Sequence, residues 1–147
     1  MATGGKPHIF TMGLERIPVN QPRFFVLVFG DPEQNGDTIE SERYEAGEAY
    51  PSFTVEPGDL LLLYCTEGYA TYARQFPGIG VTVRTKDSLI EYRRIAFSKP
   101  IGRASIDDTF DVDDRKKMTE LRFNIRRAFQ ISGDSFARTV ARQTIEV

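Results

Sequence analysis

The chain has 147 residues, 40% hydrophobic and 27% charged, with a formal net charge of −2; this length suits one domain burying about 70% of its unfolded surface. Near-neutrality excludes a uniformly basic coat, yet residues 1–70 carry 4 Lys and Arg against 11 Asp and Glu, whereas residues 71–147 carry 15 against 10. One cysteine and one histidine exclude an internal disulfide and a zinc site built from soft or imidazole ligands.

No repeat, low-complexity tract or linker divides the chain. Residues 1–22 are expected as a flexible N-terminal segment and 23–147 as the folded domain. "MATGGKPHIF" lacks the apolar centre of a secretory signal. The longest apolar run, Leu60 to Cys65, falls far short of the roughly 20 residues of a membrane helix. A soluble, cytoplasmic protein with no membrane partner is the expectation.

In chain order, "RFFVLVF" (23–29) is aromatic and β-branched between Pro22 and Gly30-Asp31-Pro32, and reads as a buried strand. The acidic stretch 31–53 is a long excursion with one helical turn around Ile39 to Glu45; connections of this length are commonly functional. Pro57-Gly58 turns the chain into a second strand, Leu60 to Cys65, whose unbroken apolar run predicts burial on both faces. A tyrosine-rich loop follows. Gly78 to Arg84 is a third strand with Ile79, Val81 and Val83 on one face by the two-residue period. Ile90 to Phe97 is a fourth, continued by an extended segment from Pro100 to Ile106. Asp111, Asp113 and Asp114 suit a helix start, with Met118 and Leu121 facing inward. Alternation in "LRFNIRRAFQI" ends that helix near Glu120 and begins another strand. Ser132 or Asp134 then caps a closing helix carrying Phe136 and Val140 on one face. Five or six strands without regular βαβ alternation predict an α+β domain: a curled mixed sheet or small barrel with flanking short helices.

Catalysis finds little support in these residues. His8 lies in the polar N-terminal tail and Cys65 ends a buried strand, so a thiolate–imidazole pair is not expected. The acidic cluster 107–114 lacks the spacing and glycine of a calcium loop, and "GDPEQNG" and "FPGIG" lack the lysine of a phosphate loop. No catalytic residue, metal or cofactor is assigned. What stands out is aromatic and basic. Tyr64, Tyr69, Tyr72 and Phe76 crowd the second strand and its loop, while Arg74, Arg84, Arg93, Arg94 and Lys99 follow as candidate phosphate contacts. Aromatic faces beside cations suit a single strand or a flipped base, each stacked base being worth roughly 1–3 kcal/mol.

The order of "FFVLVF", "YPSF", "PGDLLLLYCT", "GIGVTV", "FSKPIGRASI" and "IRRAFQISGDSF" resembles the EVE domain of the PUA-like superfamily, relatives of the YTH readers, over Phe24 to Val140. The resemblance implies a PUA-like curled barrel with a pocket for a modified or flipped nucleobase. Carried over, it names Phe53, Tyr64 and Thr66, and more loosely Tyr69 and Tyr72, as pocket residues. The chain has no Trp, so an aromatic cage here is one of Tyr and Phe. The expected function is a non-enzymatic module binding RNA or DNA. Two alternatives stand beside it: a small-ligand or protein-interaction sensor, and a hydrolase on the same scaffold using Asp59 or Glu67.

Overall fold

In a computed structural model, which describes residues 21–46, 55–120 and 128–143, the two apolar runs lie side by side. Strand β1 (Phe24–Phe29) is parallel to β3 (Leu60–Cys65), Phe24 opposite Leu60 and Phe29 opposite Cys65. The other edge of β1 is antiparallel to β6 (Ala128–Ile131), with Phe24 opposite Ile131. Every residue of β3 is buried, the burial on both faces that its unbroken apolar run predicts. Side-chain alternation then sorts one strand pair between two cores. Val26, Val28, Leu60, Leu62 and Tyr64 pack with Phe110, Met118 and Phe136 on one face. Phe25, Leu27, Phe29, Leu61, Leu63 and Cys65 pack with Ile39, Tyr44 and Tyr92 on the other.

The remaining strands are β2 (Arg43–Glu45), β4 (Gln75–Lys86) and β5 (Leu89–Gly102). All six form one mixed sheet in the order β2-β5-β4-β3-β1-β6. It curls into a half-barrel with a few short helices, the α+β architecture expected from the sequence and consistent with a PUA-like small barrel. Residues 1–20 of the expected N-terminal segment lie outside the described residues.

Several local expectations shift. The turn expected at Ile39 to Glu45 is a 3-10 turn at Ile39–Ser41, and Arg43–Glu45 is instead an edge strand paired with Leu89–Glu91. Ile79 and Val81 pack on the first core, whereas Val83 is 40% exposed. A register shift between Thr82 and Arg84 adds one residue to β4 and breaks the period there. The extended segment after Phe97 is the continuation of β5, pairing Ile101 with Phe76 and Gly102 with Gln75 before a 3-10 turn at Arg103–Ser105.

Helix α1 (Pro32–Asn35) comes directly after β1, and α2 (Ile106–Thr109), α3 (Val112–Glu120) and α4 (Gly133–Val140) come after β5. The strand predicted from Leu121 lies partly outside the described residues; its visible part is β6. Ser132 caps α4, its Oγ accepting the Ser135 N–H and donating to Asp111 Oδ2 at 2.6 Å. Buried Asp114 accepts from the Ser132 N–H at 3.0 Å and the Ser135 hydroxyl at 2.7 Å. The acidic cluster thus ties α3 to the β6–α4 junction.

Candidate nucleic-acid interface

Because β1 and β3 run parallel, the loops leaving them emerge at the same end of the sheet, where ligand crevices form in parallel sheets. Thr66 N–H donates to the Phe29 carbonyl at 2.9 Å. A Cβ on Gly68 would lie 3.4 Å from the Asp31 nitrogen, so the two loops touch there. Loop 66–74 is then wound by two short-range bonds, Tyr69 N–H to Thr66 O and Tyr72 N–H to Tyr69 O, around the 3-10 turn Ala70–Tyr72. That winding stacks Tyr69 and Tyr72, with ring centroids 6.1 Å apart and planes at 27°. Tyr69 is buried and Tyr72 half-buried. The Tyr69 phenol accepts the Ile39 N–H at 3.0 Å and faces Glu40 Oε1 at 3.5 Å. Its ring meets Phe29 edge-on. Burial pushes its pKa up, opposed by the Ile39 hydrogen bond.

Tyr64 lies on the opposite face. Its ring packs 4.9 Å from Phe76, which in turn reaches Phe110. Burial raises the Tyr64 pKa, and the positive charges of Arg103 and Arg74 act against that rise. Arg74 has φ +61°, in the left-handed region that costs a non-glycine residue of order 1–3 kcal/mol. Its N–H donates to Cys65 O, and its carbonyl accepts the Arg103 N–H, both at 2.9 Å. Two backbone bonds therefore hold the strained residue at the mouth of β4. The Arg74 guanidinium meets Glu67 at 3.0 Å, both side chains largely exposed; a pair in that setting is weak and exchangeable.

The structure brings together only part of the expected pocket. Tyr69 and Tyr72 form a pair, Thr66 is half-buried beside them, and Arg74 follows two residues after Tyr72. Tyr64 is separated from the pair by the thickness of the sheet. Phe53 lies outside the described residues. Among the expected phosphate contacts, Arg84 and Arg93 sit on the far half of the β4–β5 hairpin, where Arg84 meets Glu91 at 3.2 Å. Arg94 is half-buried, with its N–H donating to Glu42 Oε2, and Lys99 is exposed near Gln143. Arg103, which joins Arg74 near Tyr64, was missed by the sequence reading; its place in "KPIGRASI" looked like plain extended chain.

Other sequence signals resolve into packing. A Cβ on Gly80 would come 2.7 Å from Tyr92 Cδ2, and one on Gly78 2.5 Å from the Ile95 carbonyl, so both glycines make room for the neighbouring strand. Asp59 is buried in an ion pair with Arg23 and also accepts the Arg23 and Glu56 N–H groups. Burial pushes the Cys65 thiol far above its usual pKa. Among the described residues no group of His, Cys, Asp and Glu is placed to hold a metal ion, and no helix is long and apolar enough to cross a membrane.

What the fold defines is an α+β domain on a curled sheet with an aromatic and cationic loop at one end. No family model and no curated protein matches the chain.

Proposed function

We propose that this chain is a non-enzymatic nucleic-acid-binding module that takes a flipped or modified base at the loop after β3. The observation that carries the reading is the stacked Tyr69–Tyr72 pair followed two residues later by Arg74 in left-handed backbone. Tyr69 is immobilised by Ile39 and Phe29, so it backs Tyr72 as a stiff platform. A planar base stacks on the half-buried Tyr72 ring, an interaction of roughly 1–3 kcal/mol. Arg74 exchanges its exposed partner Glu67 for a phosphate of the same strand.

Fluorescence anisotropy on labelled RNA and DNA strands, measured across salt, tests the reading. Affinity should fall steeply as salt rises through counterion release. Tyr72→Ala should weaken binding about 10- to 100-fold, and Arg74→Ala should reduce the salt slope by about one. Binding that is indifferent to both substitutions overturns the assignment of the base site.

A further inference from the structure

Two of the three exposed large hydrophobics among the described residues, Val83 and Ile95, lie on the outer half of the β4–β5 hairpin. Side chains opposite one another on paired strands share a face. Ile95 opposes Ile79, Arg93 opposes Val81 and Arg84 opposes Glu91, so Ile95, Arg93 and Arg84 continue the face that carries the first core. Beyond Val81 that face leaves the core and becomes exposed. Among the described residues Arg93 has no ion-pair partner, and Arg84 has only the exposed carboxylate of Glu91. Arg84 and Arg93 are diagonal neighbours, about 7–8 Å apart at Cβ, a spacing comparable to that of successive phosphates on a nucleic-acid strand.

We infer that this hairpin face is a second contact surface, for the phosphate backbone of the same nucleic acid whose base the β3 loop takes; the inference rests on that reading. Charge favours this occupant. Arg84, Arg93 and the neighbouring Lys86 outnumber Glu91 and Asp87, and the exposed Ile95 offers aliphatic surface to the sugars between phosphates. A second copy of the chain is a poorer fit. Two strands about 5 Å apart over five or six residues present only about 200 Å², against about 800 Å² per partner in a stable complex. Tyr72 packs on the second core and the hairpin face continues the first, so a strand reaching both passes the end of the sheet at Arg74; from Gln75 beside it, Arg84 lies nine residues along β4, about 30 Å at 3.3 Å per residue. At 3.4 Å per residue of a duplex strand, that span is about nine base pairs. The surface therefore confers a length requirement: strands too short to reach from Arg74 to Arg84 do not feel it.

The experiment compares the full chain with R84A/R93A, both substitutions at exposed positions, on DNA and RNA of 4, 8, 16 and 24 residues, single-stranded and duplex. The expected result is equal affinity of the two proteins for 4-mers, and for 16- and 24-mers a salt slope smaller by about two in R84A/R93A. If the wild-type chain binds long strands but R84A/R93A keeps its affinity and slope, the hairpin surface is overturned and the base site stands. Binding lost equally at every length overturns it too, since the arginines would then belong to the base site. A wild-type chain that binds none of these strands overturns both readings, and sedimentation showing a dimer broken by R84A/R93A assigns the face to self-association instead.

Discussion

Ile39 gives its N–H to the phenol of Tyr69 at 3.0 Å, and its carbonyl receives the phenol of Tyr92, also at 3.0 Å. Two tyrosines from distant strands and loops thus hold both backbone polar groups of one buried residue, and the acidic excursion is fastened to the sheet at that point. The tyrosine-rich loop is in this respect a clamp as well as a platform. Tyr69→Phe leaves the ring in place but the Ile39 N–H buried without its acceptor, a loss of about 1–3 kcal/mol. Urea unfolding checks this; an unchanged midpoint would mean that the bond contributes nothing to fastening the excursion.

The glycines of β4 and β5 divide by what a methyl group would meet. Gly80→Ala drives a Cβ into the Tyr92 ring and should cost about 1–3 kcal/mol. Gly102→Ala meets nothing within 4 Å at φ −70° and should stay within about 0.5 kcal/mol of the parent. Thermal unfolding of the two single variants separates them, and equal losses would contradict the packing argument.

Asp111 carries a pKa lowered by its hydrogen bond from Ser132, and next by Arg138. A carboxylate whose folded pKa is depressed stabilises the fold above its unfolded pKa, near 3.9, and loses that contribution as pH falls through the folded value. Stability of the parent should therefore drop more steeply below about pH 4 than that of Asp111→Asn. Urea midpoints at pH 7, 5, 4 and 3 provide the comparison, and parallel curves would show that Asp111 titrates alike in both states.

Cys65 is fully buried and its thiol is pushed far up by burial. An aromatic disulfide reagent at pH 8 should leave it unmodified in the native protein and titrate one thiol after denaturation. Prompt labelling of the native chain would mean that the end of β3 opens readily.

The buried frame was legible because its signals are local. "FFVLVF" and "LLLLYC" are apolar without interruption, as strands covered on both faces must be, and Ser132 stands where a capping oxygen is needed for α4. Arg43–Glu45 reads as part of a helical turn because three residues with two exposed give no strand period; pairing with Leu89–Glu91 creates the strand. Strict alternation puts Val83 on one face with Ile79 and Val81, and the bulge beside Arg84 interrupts that period. For the site, the tyrosines were visible as a cluster, but which face each one takes was not. Parity within β3 puts Tyr64 opposite to Cys65, whereas the face of Tyr69 depends on the path of the loop and on its anchor at Ile39, set by parts of the chain far away. The arginines divide in the same way: parity alone puts Arg93 and Arg94 on opposite sides of β5, but pairing with β4 decides which of the two shares the face of Val81.

Strand β1 takes its two neighbours from far downstream, Leu60–Cys65 on one side and Ala128–Ile131 on the other. During synthesis β1 keeps one hydrogen-bonding edge bare until Ala128–Ile131, about a hundred residues downstream, have left the ribosome. Pairing of Phe24 with Ile131 closes a loop of more than a hundred residues, a non-local contact of the kind that slows folding.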